Sequence, residues 1–149
     1  PYGIEFWPQF KGRDGCRTPM PWNSSLPNLG FGGGVPWLPV SPLHQPLAVD
    51  LQEADEHSTL ATARKFIEAR KTNPVLRLGD IAFLDAPAPV LAFTRPYNEE
   101  RAICVFNMSS EEAKFDGVKG NAVDLGCGYA RLEGTTLRLG PYAAWFGVF

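Results

Sequence analysis

The distribution of proline and glycine is the feature that most limits how this chain folds. The 149 residues include fourteen prolines and fifteen glycines, and most of the prolines precede residue 58. The glycine cluster Gly30, Gly32, Gly33 and Gly34 lies in the same segment. No helical or strand periodicity of apolar residues persists there. We therefore predict a long irregular loop over residues 1–57, which is uncommon inside a compact domain and usually functional.

Aromatic side chains in this segment predict that it packs against another surface. The aromatic residues include Phe6, Trp7, Phe10, Trp22 and Trp37. Disordered linkers are poor in such residues because they bury little apolar surface. We expect the segment to contact a part of the protein outside these residues.

Residues 58–72 have the spacing of one amphipathic helix. Leu60, Ala63 and Ile67 recur at helical intervals, and Phe66 widens the apolar face. Either Ser58 or Asp55 is a suitable N-cap. The dipeptide Asn73-Pro74 ends the helix, because the residue before a proline is disfavoured in the helical conformation.

Residues 77–149 change to short extended runs separated by turn-forming clusters. Such spacing indicates an antiparallel β-sandwich, and with it a mostly β fold class. The predicted strands are 80–84, 90–95, 102–107, 122–125, 135–139 and 143–149.

Charge and cysteine content exclude several function classes. The net charge of -2 gives no basic face for a nucleic acid, and no apolar run is long enough to span a bilayer. Cys16, Cys104 and Cys127 are far apart, and His44 and His57 lack zinc-ligand spacing. We therefore predict no metal and no other cofactor. Free thiols fit a reducing compartment, which favours the cytoplasm over the periplasm without deciding between them.

The run Gly-Arg-Asp-Gly-Cys-Arg-Thr-Pro-Met-Pro-Trp at residues 12–22 resembles a motif of α-glucosidases and oligo-1,6-glucosidases in the α-amylase clan of glycoside hydrolases. Residues 36–40, 66–80 and 105–109 resemble later stretches of the same family, in the same order and spacing. Cys16 and Pro21 make the motif similar to that of proteobacterial-type α-glucosidases.

The resemblance implies that the chain is the C-terminal portion of such an enzyme. Residues 1–76 would end a (β/α)8 barrel, with 1–57 as the loop after strand eight and 58–72 as the eighth helix. Residues 77–149 would form the C-terminal β-sandwich domain. A complete barrel needs about 250 residues. The resemblance places the catalytic carboxylates upstream, so we predict no catalytic residue here and no activity of the chain alone.

For substrate binding, the resemblance points first to Arg17 and more weakly to Arg13. The counterpart of Arg17 in the family hydrogen-bonds the hydroxyls of the non-reducing glucose. The alternative is an ion pair with Asp14 that only holds the loop. For Arg13 and Asp14 a structural role in the loop is the favoured interpretation. Trp22 and Trp37 have two interpretations: stacking on a sugar ring, or anchoring the loop to a barrel rim.

The function implied is hydrolysis of terminal α-linked glucose from short oligosaccharides by a retaining mechanism. The partners implied are an oligosaccharide, bound by the full-length enzyme, and either the missing barrel portion or a second copy of the chain. Two alternatives stay open. One is a non-catalytic β-sandwich that binds carbohydrate or protein, and the other is part of a related glucosyl-transferring or disaccharide-isomerising enzyme.

Overall fold

The computed structural model describes residues 13–149, so residues 1–12 of the predicted loop lie outside the described part. The chain divides into two compact units, Pro1–Ala61 and Thr62–Phe149.

The first unit contains several short helical segments where the sequence predicted an irregular loop. They are the 3₁₀ helices Asp14–Cys16, Pro27–Gly30 and Pro42–Leu47 and the α-helix α1, Val49–Ala54. Proline occupies the first turn of the second and third 3₁₀ helices, where its fixed φ favours helix entry. The Ser41 hydroxyl caps the third by accepting a hydrogen bond from the Leu43 N–H at 3.3 Å. Local turn chemistry therefore forms helices too short to produce a periodic pattern.

A left-handed turn folds the second 3₁₀ helix back on the residues before it. Asn28, Leu29 and Gly30 have φ of 51°, 53° and 75°. The Leu29 carbonyl consequently accepts hydrogen bonds from the backbone N–H groups of Trp22, at 2.8 Å, and Asn23, at 2.9 Å. Asparagine and glycine tolerate this conformation better than other residues, which explains two of the three positions.

Asp50 lies at the start of helix α1 and links this helix to the segment that precedes the left-handed turn. Its two carboxylate oxygens accept from the Ser24 N–H at 3.0 Å, and one of them accepts from the Ser24 hydroxyl at 2.9 Å. Desolvation raises the pKa of Asp50, but the hydrogen bonds that its carboxylate accepts from Ser24 and from the backbone of Leu51 and Asp50 together outweigh it, so the pKa is lowered overall.

Helix α2, Thr59–Thr72, confirms the predicted helix and begins one residue later than expected. The Ser58 hydroxyl accepts a hydrogen bond from the Ala61 N–H at 3.1 Å, so Ser58 is the N-cap. A third helix, α3, Pro74–Leu78, follows at once and was not predicted. Its first residue is Pro74, which ends one helix and starts the next.

The second unit contains two antiparallel sheets. The five-stranded sheet has the order β1-β2-β3-β8-β5 and the three-stranded sheet the order β4-β7-β6. The strands are β1 Ala82–Phe83, β2 Val90–Tyr97, β3 Glu100–Asn107, β4 Ala113–Phe115, β5 Asn121–Ala122, β6 Ala130–Glu133, β7 Thr136–Leu139 and β8 Ala144–Val148. The predicted runs overlap six of these strands, and β4 and β6 were not predicted.

Two apolar clusters stabilise the second unit. The first draws on both sheets and includes Val105, Leu137 and Leu139, each at most 1% exposed. The second packs α2 on the five-stranded sheet through an aromatic chain: Phe66 contacts Phe146, and Phe146 contacts Phe106, each pair with ring centroids 5.6 Å apart. The described residues thus combine helices and antiparallel sheets: the expected antiparallel strands and helix are present, and there is more helix than the sequence predicted. Within residues 13–149 no helix is long and apolar enough to cross a membrane.

Candidate functional site

Arg17 follows the first 3₁₀ helix, and the turn holds its backbone while its side chain is exposed. Its N–H donates to the Asp14 carbonyl at 3.0 Å. The guanidinium carbon lies 6.0 Å from the centroid of the Trp37 ring, within the range of a cation–π interaction. In the part of the chain that the structure describes, no ion pair joins the Arg17 guanidinium to the Asp14 carboxylate.

Arg17 and Trp37 line the same cavity in the first unit. The cavity has a volume of about 450 Å³, and its lining includes Asn28, Phe31 and Pro36. Trp37 is 77% exposed and Phe31 59% exposed, so both rings present apolar surface to the open space. The combination of a cationic fork, a polar amide and aromatic faces suits a ligand with hydroxyl groups and an apolar face.

The Asn28 side chain holds the glycine-rich wall of this cavity. Its amide nitrogen donates to the Gly32 carbonyl at 2.9 Å and to the Gly34 carbonyl at 2.7 Å. Sequence reasoning did not single out Asn28. The pattern that could have identified it is an asparagine two residues before a glycine. Asparagine adopts left-handed turns and also hydrogen-bonds to nearby backbone groups.

Arg13 occupies a different position from Arg17. It is the exposed residue before the first 3₁₀ helix, and its carbonyl accepts a hydrogen bond from the Cys16 N–H at 3.1 Å. Arg13 is not among the residues that line the cavity. The structure therefore separates the two arginines that the sequence proposed together.

The two tryptophans of the predicted loop also differ. Trp37 contributes its ring to the cavity, whereas Trp22 holds the turn through its backbone, donating to Leu29 and accepting from Asp50 at 3.2 Å. The Trp22 ring is 53% exposed and does not line the cavity.

The described lining of the cavity offers binding groups and no carboxylate or nucleophile. The glutamate pairs at 99–100 and 111–112 are exposed and lie in or beside turns of the second unit. In residues 13–149 no three His, Cys, Asp or Glu side chains come together as metal ligands. The arrangement in this cavity can hold and orient a ligand, while cleavage needs groups from elsewhere.

A second cavity, of about 280 Å³, lies in the second unit against α2. It is lined mainly by apolar side chains, among them Phe66, Phe146 and Cys104. Burial raises the pKa of the Cys104 thiol to about 11, slightly opposed by the Arg95 charge. The Arg95 and Arg70 guanidinium groups donate to backbone carbonyls, Arg70 to Leu76 at 2.8 Å, so both serve the fold.

The described fold agrees with the comparison to known proteins. The model of the α-amylase catalytic domain matches residues 4–79. This match covers just over half of the chain and shows that it belongs to the α-amylase family of glycoside hydrolases.

Within this family, the chain is similar to several α-glucosidases and to an α-glucosyl transfer enzyme. A probable α-glucosidase of Rhizobium meliloti (strain 1021) is 52% identical over 113 residues, which are 76% of this chain and 20% of the relative. A glucan 1,6-alpha-glucosidase of Streptococcus pneumoniae serotype 4 is 39% identical over 68% of this chain and 19% of the relative. The crystal structure of the alpha-glucosyl transfer enzyme XgtA superimposes with a TM-score of 0.85 at 44% identity, over 99% of this chain and 28% of that structure. The chain thus spans about a fifth of the length of the curated relatives it matches.

Proposed function

We propose that this chain is the C-terminal portion of an α-glucosidase that removes terminal α-linked glucose from short oligosaccharides. The observation that carries the proposal is the cavity in which the Arg17 guanidinium lies over the exposed Trp37 ring. The 52% identity to a probable α-glucosidase supports the same function.

The proposed role of Arg17 is to hydrogen-bond sugar hydroxyls. A guanidinium presents five donors in a rigid fork, and its selectivity for hydroxyl groups increases when water is excluded. A pocket that donates hydrogen bonds to specific hydroxyls discriminates strongly against a sugar that lacks them, because the donors are then left unpaired. Arg13 is the weaker candidate for the same role, since it lies outside the cavity lining.

The proposed division of the chain follows the family. Residues 1–76 would complete a (β/α)8 barrel, and residues 77–149 would form a terminal β-sandwich. The family match over residues 4–79 supports the first assignment. The apolar cluster drawn from both sheets supports the second.

The proposed chemistry is a retaining hydrolysis whose carboxylate pair lies outside this chain. Retaining enzymes use two carboxyl groups about 5–5.5 Å apart, one as nucleophile and one as acid and then base. The contribution of the present residues would be to bind the glucose in register with that pair. The free cysteines fit a reducing compartment, which slightly favours the cytoplasm over the periplasm.

Turnover of p-nitrophenyl α-glucoside tests the proposal. The 149-residue chain should show no turnover, and the longer protein that contains it should hydrolyse the substrate. In the longer protein, Arg17→Ala should lower kcat/KM roughly 10- to 150-fold, the range for losing a hydrogen bond to a charged donor. Turnover by the isolated chain, or no turnover by the longer protein, would contradict the proposal.

Glucosyl transfer is the second candidate, favoured by the 44% identity to an α-glucosyl transfer enzyme over nearly the whole chain. Products formed from maltose alone distinguish the candidates: hydrolysis releases only glucose, whereas transfer also builds longer oligosaccharides. A sucrose incubation that yields an isomeric disaccharide would indicate isomerisation. Carbohydrate binding by the isolated chain, with no turnover by any longer form, would indicate a binding module.

A further inference from the structure

We propose that Trp37 positions Arg17 for substrate binding through a cation–π contact. The inference rests on the proposed function, because it assigns a partner to the residue that would bind the sugar. Three observations carry it: the contact between the two side chains, their shared cavity, and the way the backbone around Trp37 is held.

The contact is the main interaction that the structure shows for the Arg17 guanidinium. Its central carbon lies 6.0 Å from the Trp37 ring centroid, and Asp14, the nearest acidic residue in sequence, is not paired with it. A long flexible side chain samples many rotamers and loses entropy when it binds. The flat face of an indole restricts that sampling while leaving the outward donors of the guanidinium free.

Trp37 is 77% exposed, whereas the adjacent Leu38 is 4% exposed. The backbone is therefore fastened at Leu38, and the indole is directed into the cavity that Arg17 also lines. On the other side, the Asn28 amide holds the carbonyls of Gly32 and Gly34 and keeps this wall in place.

The geometry predicts that Trp37 acts through Arg17 and not independently. If so, removing the indole should reduce binding only when Arg17 is present. In kinetic terms the two substitutions are non-additive, as expected for residues in direct contact. A purely structural role of Trp37, or direct stacking of Trp37 on the sugar, would instead add its effect to that of Arg17.

A double-mutant cycle in the longer, active protein tests this. Trp37→Leu should lower kcat/KM about 2- to 30-fold, the span of cation–π energies from exposed to desolvated sites. Trp37→Phe keeps an aromatic face and should recover part of that loss. In the Arg17→Ala background, Trp37→Leu should change kcat/KM less than about twofold. Leu43→Ala is the matched control, because Leu43 is equally exposed, at 78%, and does not line the cavity.

An NMR measurement tests the contact without depending on the proposed function. In the NMR spectrum of the chain, the ring current of Trp37 should shift the Arg17 δ-methylene protons upfield, and Trp37→Leu should abolish the shift. If Trp37→Leu abolishes the shift but the effects of the Arg17 and Trp37 substitutions on kcat/KM are additive, a positioning role is overturned. An unshifted wild-type signal overturns the contact itself. If the protein hydrolyses no α-glucoside but the ring-current shift is present, the proposed function fails and the contact stands.

Discussion

Asn28 shows how one side chain can serve both the backbone and the cavity. It adopts a φ of 51° and donates from its amide to the carbonyls of Gly32 and Gly34. Asn28→Ala removes the amide, and alanine, unlike asparagine, has no polar side chain to offset the strain of the left-handed conformation. Asn28→Gly removes the amide but tolerates the conformation. In urea unfolding, Asn28→Ala should therefore be the less stable by about 1 kcal/mol. Equal stabilities would contradict this account of the turn.

Asp50 makes the same turn sensitive to acid. Hydrogen bonds from Ser24 lower its pKa below the ordinary value of 3.8, in spite of an opposing contribution from desolvation. A carboxyl group whose pKa is depressed on folding stabilises the fold above its unfolded pKa, and this stabilisation is lost as the pH falls through the folded pKa. The Ser24 amide resonance should accordingly titrate with a midpoint below 3.8. Asp50→Asn should remove the titration, and a midpoint at or above the ordinary value would refute the assignment.

At the scale of elements, helix α2 is held to the five-stranded sheet by an aromatic contact. The rings of Phe66 and Phe146 meet edge to face, with an interplanar angle of 89°. Such a pair contributes about 0.5–1.5 kcal/mol beyond the area it buries. Phe66→Ala should lower the free energy of unfolding more than Ile67→Ala, because Ile67 is 55% exposed and Phe66 only 37% exposed. Chemical denaturation of both variants measures the difference, and an equal loss would show that the aromatic contact is not what holds the helix.

The elements that sequence reasoning found and missed differ in length and periodicity. Helix α2 and strands β2 and β3 are long enough to repeat their apolar pattern, so their positions were predictable. Helix α1 and strand β4 have six and three residues, and caps and partners elsewhere in the chain decide whether such short segments form. The hydrogen bonds between Ser24 and Asp50 join residues 26 positions apart, and no local sequence pattern predicts them.

At the scale of the whole molecule, the candidate site was only partly predictable. Arg17 lies within a motif that resembles a known family, so it was found from sequence. Its neighbour Trp37 lies twenty positions further along, and only folding brings the indole to 6.0 Å from the guanidinium. Asn28 acts from a third position between them. Residue type and motif thus identify a candidate binding group, while the neighbours that it has in the cavity depend on tertiary structure.

The isolated chain matches only about a fifth of each relative's length. Large apolar side chains are exposed in both units: Val35 at 99%, Leu43 at 78%, Phe83 at 72% and Ile67 at 55%. Each Å² of apolar surface left in water forgoes about 25 cal/mol, so surfaces that a longer protein would cover favour association of the separated piece. We expect the mass measured by sedimentation to rise with concentration, and Ile67→Lys to reduce that rise by placing a charge on α2. A chain that stays strictly monomeric at high concentration would mean that these side chains are not part of a larger covered surface.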